Sequence, residues 1–185
     1  MKLFHLSDLH IGKRVNEFSM IEDQKYILKR ILDLAEEEKP DGIILAGDIY
    51  DKQIPSAEAV QVFDEFITRL AGRAIPVFII SGNHDSAERL AFGGRLLNSR
   101  GIYLSPVYDG SVTKIPLKDQ YGTVWIHLLP FIRPSTVRHV FENEADLVTD
   151  VQTAAETVIR HMEIDLKDRN ILVAHQFVTG ASRCE

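Results

Sequence analysis

Asp8 and His10 stand two residues apart at the end of a short stretch, residues 2–6, that reads as a β-strand. In extended backbone, residues two apart project from the same side, so a carboxylate and an imidazole are expected together. That pair suits borderline divalent cations such as manganese, iron or zinc. An Asp-x-His triplet is common in surface turns, and here it gains meaning from three later segments. Asp48 follows the apolar run Gly42-Ile43-Ile44-Leu45-Ala46 and Gly47, Asn83-His84-Asp85 follows residues 76–80 and Ser81-Gly82, and His175 follows residues 170–174. Each sits where an apolar strand ends, the place at which open α/β sheets bind ligands. Asp48 has two oxygens with which to bridge a pair of cations, and Asn83 offers a neutral amide oxygen that limits negative charge. Two metals about 3.5–4 Å apart clamp the attacking and leaving oxygens of a phosphate ester and generate hydroxide near neutral pH. Gly47 and Gly82, lacking Cβ, allow a tight turn at each strand end and close approach of the backbone.

The elements that must position these residues follow from hydrophobic periodicity. Residues 2–6, Gly42–Ala46 and 76–80 read as strands, the latter two wholly apolar and therefore buried on both faces. Between them lie two amphipathic helices. The first opens on Ser19-Met20-Ile21-Glu22, which has the form of a capping box, carries Ile21, Ile27, Leu28, Ile31, Leu34 and Ala35 with Gln24 as a polar gap, and stops before Pro40. The second opens at Pro55-Ser56, carries Val60, Phe63, Ile67 and Leu70, and ends near Gly72. Strand, helix, strand, helix, strand at this spacing predicts right-handed parallel crossovers. Beyond them, residues 86–97 read as a helix interrupted by Gly93-Gly94, residues 102–104 as a short strand, and residues 112–117 and 123–129 as an antiparallel pair. Pro130 and Pro134 bracket a loop, residues 143–167 read as one long helix, and residues 170–174 as the last strand.

Composition excludes several classes. At 185 residues with 45% hydrophobic and 26% charged side chains, the chain is expected to form one globular domain. No apolar run is long enough to span a membrane, and Asp8 comes too early for a signal peptide. The single cysteine, Cys184, excludes an internal disulfide and fits a reducing, cytoplasmic setting. A net charge of −6 argues against nucleic-acid binding by bulk charge alone. It leaves room for a metal-dependent nuclease, whose bound cations reverse the local field.

The strings Leu6-Ser7-Asp8-Leu9-His10-Ile11-Gly12, Ala46-Gly47-Asp48-Ile49-Tyr50-Asp51 and Ser81-Gly82-Asn83-His84-Asp85-Ser86, with Ala174-His175-Gln176 as a fourth, resemble the first four motifs of the calcineurin-like metallophosphoesterases. They are most similar to the SbcD-like branch of DNA-repair nucleases, and the resemblance runs from residue 2 to about residue 180. It implies an α/β fold, an α-β-β-α sandwich of two mixed sheets flanked by helices. It implies two divalent ions, with manganese the expected metal and magnesium or others as alternatives. Asp8 and His10 would hold the first ion, Asn83 and His175 the second, and Asp48 would bridge them. His84 would contact the scissile phosphate, and Asp85 would orient the His84 ring. DNA as substrate, an SbcC-type ATPase as partner and a homodimer through residues 56–72 and 86–97 are further implications, with no membrane partner. The family also carries a Gly-His-x-His motif after the fourth, for which Gly180-Ala181-Ser182-Arg183 is no substitute. Residues 1–185 are therefore expected to form a single metallophosphoesterase domain lacking its C-terminal part. Asp51 stands where the archaeal nucleases have histidine, and nothing beyond support of the site is assigned to it.

Other readings compete. The motifs equally admit a phosphodiesterase acting on a small nucleotide, or a phosphoesterase-like scaffold without catalysis. A protein phosphatase fits less well, because Lys52-Gln53 stands where that branch has Arg-Gly. Asp48 and Asn83 suit helix caps, but Ser56 and Ser86 lie nearer the helix starts, and His175 suits a satisfied core histidine. His5, His127, His139 and His161 read as structural or surface residues. Trp125 and Phe131 read as core, and Arg14, Arg89, Arg95 and Arg133 as solvated.

Overall fold

The protein is described by a computed structural model over residues 1–177; Cys184 and the stretch 180–183 lie outside the described residues. In chain order the elements are β1 (Leu3–Leu6), β2 (Arg14–Val15), β3 (Phe18–Ser19), α1 (Ile21–Glu38), β4 (Gly42–Ala46), α2 (Ala57–Ala71), β5 (Val77–Ile80), α3 (Ala87–Leu90), α4 (Gly94–Asn98) and β6 (Ile102–Leu104). They continue as β7 (Thr113–Asp119), β8 (Gly122–Leu128), α5 (Pro134–Val140), a 3₁₀ turn (Glu142–Leu147), α6 (Val151–His161) and β9 (Arg169–Val173). Among these residues no helix is long and apolar enough to cross a membrane.

Two sheets face each other. The first has the order β1-β4-β5-β6 and is parallel throughout. The second has the order β7-β8-β9 and is mixed, with β8 antiparallel to β7 and parallel to β9. The expected α/β architecture is present, and the mixed pairing belongs to the second sheet alone among the described residues.

Alternation along β4 and β5 divides the core. Ile43, Leu45, Val77 and Ile79 face α1 and α2 in one cluster. Ile44, Ala46, Phe78 and Ile80 face Val124, Ile126, Leu128 and Val173 of the second sheet in another. Both strands are thus buried on both faces, which is why they read as unbroken apolar runs. A third cluster, built on α5, α6 and Leu129, lies beyond the end of β8.

Several local readings are corrected. Ser19 is paired with Arg14 in the β2–β3 hairpin, so Met20 takes the N-cap position of α1 and the capping box does not form. The buried face of α1 is Ile21, Leu28, Leu32 and Ala35, leaving Ile27 and Leu34 exposed. The predicted long helix over 143–167 is a 3₁₀ turn followed by α6, because Asp150 forms a capping box with Thr153 and starts a new helix. A side chain that accepts backbone hydrogen bonds competes with helix continuation in this way. The predicted loop after Pro130 contains α5, with Pro134 in its first turn, where its missing N–H costs nothing.

Phe78 is fully buried and stacks on Tyr103, with ring centroids 5.5 Å apart, between the two sheets. Phe78→Ala is expected to lower stability by about 3–5 kcal/mol, read as a shift in urea midpoint at constant slope.

Candidate metal centre

The site lies where the carboxyl ends of β1, β4 and β5 meet the carboxyl end of β9 from the second sheet. Period-two alternation does not bring Asp8 and His10 together, because β1 ends at Leu6. Asp8, His10 and Asp48 all have left-handed backbone, with φ of 57°, 43° and 50°. Such conformations cost of order 1–3 kcal/mol each in residues other than glycine and cluster at functional sites. They are held by a ladder that continues the β1–β4 pairing: Asp8 N donates to Gly47 O at 3.2 Å, His10 N to Asp48 O at 2.9 Å, and Ile11 N to Ile49 O at 2.9 Å.

Asp48 is the hub, with only 3% of its surface exposed. Its Oδ1 accepts the main-chain N–H of His84 at 2.9 Å. Its Oδ2 lies 3.7 Å from His10 Nε2 and 3.4 Å from His175 Nε2. Ligand atoms of Asp8, Asp48 and His175 lie within 4.8 Å of one another, as do those of His10, Asp48 and His84. Asp48 belongs to both groups, as a bridging carboxylate must. Asp8 Oδ1 lies 3.8 Å from His10 Nε2, and Asn83 Oδ1 lies 3.2 Å from His175 Nε2.

The donor chemistry fits divalent ions. The Ala46 carbonyl lies 2.7 Å from His175 Nδ1 and can only accept, so that nitrogen carries a proton. Nε2 is left facing Asp48 and Asn83 oxygens, an arrangement that calls for positive charge between them. No Lys or Arg stands within ion-pairing distance of Asp48 or Asp8 among the described residues, and the groups that face them are the two histidines.

Two glycines make the approach possible. A Cβ on Gly82 would collide with Asp48 Oδ1. A Cβ on Gly47, which has φ of 88°, would lie 2.6 Å from the His175 ring. Close backbone approach is the expected service of Gly82; the group it admits is the Asp48 carboxylate.

His84 is exposed. Its ring packs edge-on against His10 at 4.8 Å between centroids, and its Nδ1 faces the Asp51 carbonyl at 3.0 Å. The expected orientation of His84 by Asp85 is corrected. The Asp85 carboxylate is buried and accepts main-chain N–H groups from Gly82 at 2.8 Å, Tyr50 at 2.9 Å and Ile49 at 3.1 Å. It ties the β5 loop to the β4 loop, while burial pushes its pKa up against those three hydrogen bonds. His84 is oriented by Asp51, whose carboxylate also stands 3.7 Å from His10 Nδ1.

Gln24, in sequence only a polar gap, supports the site. Its Nε2 donates to the Leu9 and His10 carbonyls at 3.1 and 2.8 Å, and its Oε1 accepts Gly12 N–H at 2.9 Å. A glutamine in phase with Ile21 and Leu28 on the buried face of α1 is the signal that could have found it. Ser7 Oγ likewise donates to the Asp8 carboxylate.

A calcineurin-like phosphoesterase family model matches residues 1–184. The chain is 32% identical over 188 aligned residues to the SbcD subunit of the nuclease SbcCD from Staphylococcus saprophyticus, covering 100% of this chain and 48% of that protein. It is 35% identical over 183 residues to the protein of the same name from Staphylococcus epidermidis, covering 97% and 47%. The chain thus spans about half the length of these relatives.

Gly82→Ala must displace Asp48. It is expected to weaken Mn2+ binding about 10- to 100-fold in calorimetric titration, while circular dichroism keeps the native secondary structure.

Proposed function

The chain belongs to the calcineurin-like phosphoesterase family, and we propose that it carries the metal-binding part of an SbcD-type DNA nuclease subunit. In this reading it hydrolyses phosphodiester bonds with divalent ions, manganese foremost, in DNA repair and recombination. The observation that carries the reading is the shared Asp48: one buried carboxylate common to two groups of ligand atoms. Asp8 and His10 are assigned to one ion and Asn83 and His175 to the other. Bound there, a pair of divalent ions supplies Lewis-acid stabilisation of the phosphate and a hydroxide nucleophile.

The protein's own residues set the remaining geometry. With Nδ1–H of His84 directed to the Asp51 carbonyl, its Nε2 is free to meet the scissile phosphate or to protonate the departing oxygen. Asp85 is assigned to positioning, since it holds the loops that carry Asp48 and His84. Gln24 holds the loop that carries Asp8 and His10.

An SbcC-type ATPase partner follows from the names of the relatives, which are subunits of an SbcCD nuclease. A homodimer through residues 56–72 and 86–97 is supported by exposed Val60, Phe92 and Leu96, at 44%, 87% and 79%. Such a run of exposed apolar side chains marks an interaction surface.

The test is Mn2+-dependent cleavage of linear and single-stranded DNA by this chain and by a form extended to the length of its relatives. Cleavage is expected from the extended form, with His84→Ala losing about 10²–10⁴-fold in rate. Hydrolysis of small phosphodiesters with DNA left intact would replace the nuclease reading by a small-nucleotide phosphodiesterase. Neither activity, with no metal bound, would leave a scaffold.

A further inference from the structure

A cleft of about 320 Å3 opens on the Asn83 side of the metal centre, between the loop after β5 and the segment leading from β8 into α5. Tyr108 and Phe131 contribute aromatic wall to it, and Arg133 is the one cation among its described lining residues. Phe131, which the sequence assigns to the core, is only half-buried. Its main-chain N–H donates to the Ser81 carbonyl at 2.8 Å, which pins the segment bearing Phe131 and Arg133 to the loop bearing Asn83. The cleft wall therefore keeps a fixed place beside the metal centre.

Arg133 is exposed. Its main-chain carbonyl accepts the N–H groups of Thr136 and Val137, which anchors its backbone and leaves the guanidinium to solvent. The acids of the cleft are already engaged: Asp85 by three main-chain amides, and Glu88 by Ser86 Oγ at 2.9 Å. A guanidinium binds phosphate through a planar fork of donors, and aromatic side chains receive nucleobases with little regard to sequence. A cation and an aromatic wall in one cleft, next to a centre suited to phosphate esters, match a nucleotide.

We propose that this cleft is a nucleotide subsite flanking the scissile phosphate. Arg133 grips the neighbouring phosphate, and the base or sugar packs against Phe131 and Tyr108. The inference rests on the hydrolytic reading above and deepens it by naming a specificity-determining residue. In a chain of net charge −6, recognition by one placed guanidinium replaces recognition by a broad basic surface. Free nucleotides and nucleic-acid strands share this chemistry.

The test is calorimetric titration of thymidine monophosphate and of a thymidine trinucleotide into the 185-residue chain and its Arg133→Ala, Arg133→Lys and Glu88→Gln variants, with melting temperature and Mn2+ binding recorded for each. Arg133→Ala is expected to weaken trinucleotide binding about tenfold or more with melting and Mn2+ binding unchanged. The slope of log affinity against log salt should fall by about 0.7, one single-strand phosphate contact. Arg133→Lys should recover part of the loss, and Glu88→Gln should tighten binding. Loss confined to the trinucleotide identifies a strand as the occupant, and equal loss with the monophosphate identifies a free nucleotide. Wild-type affinity in Arg133→Ala, or no nucleotide binding by the wild type, would overturn the proposal. Hydrolysis of bis(p-nitrophenyl) phosphate by the extended form separates the two failures. That diester has no nucleotide to seat, so its hydrolysis should survive Arg133→Ala, and its absence in the wild type would instead count against the hydrolytic reading.

Discussion

The Asp48 carboxylate governs the structure around it. A buried carboxylate is costly unless its charge is met, and here it is met by one main-chain N–H and the faces of two imidazoles. Everything near it is arranged to let those groups converge. Gly82 makes room on one side, and Gly47 lets the His175 ring lie over the turn on the other. The left-handed backbone at Asp8, His10 and Asp48 is a local cost, offset by the ladder of main-chain hydrogen bonds that locks the two loops together.

That convergence explains why two sheets are needed. The first sheet delivers Asp8, His10, Asp48 and Asn83 from neighbouring parallel strands. His175 comes from β9 in the second sheet, and it reaches Asp48 only because the sheets are pressed together by Ile44, Phe78 and Ile80 against Ile126, Leu128 and Val173. Packing in the sandwich and ligand geometry are thus one constraint. The outer face of the first sheet, covered by α1 and α2, adds the Gln24 clamp from behind.

Much of this was legible in the sequence because the signals were local. Apolar runs bounded by Gly-Asp and Gly-Asn-His gave the strands and the ends at which ligands sit, and the candidate ligands are brought together. What was not legible depended on partners far away in the chain. Ser19 has the sequence of a cap but is taken by hairpin pairing with Arg14. The 143–167 periodicity is continuous in composition, yet Asp150 breaks it with a single side chain. Asp85 looks like a partner for the adjacent His84, whereas its oxygens point to amides of Ile49, Tyr50 and Gly82. Asp51 looks dispensable in sequence because the carbonyl that holds His84 leaves no mark in the residue type.

The most direct measurement is Mn2+ stoichiometry by calorimetry together with low-temperature electron paramagnetic resonance, on the wild type and on Asp48→Asn. Two ions per chain with a spin-coupled signal, lost in Asp48→Asn while the fold persists, is the expected result. Uncoupled ions, or binding and coupling that survive Asp48→Asn, would contradict a centre built on one shared carboxylate.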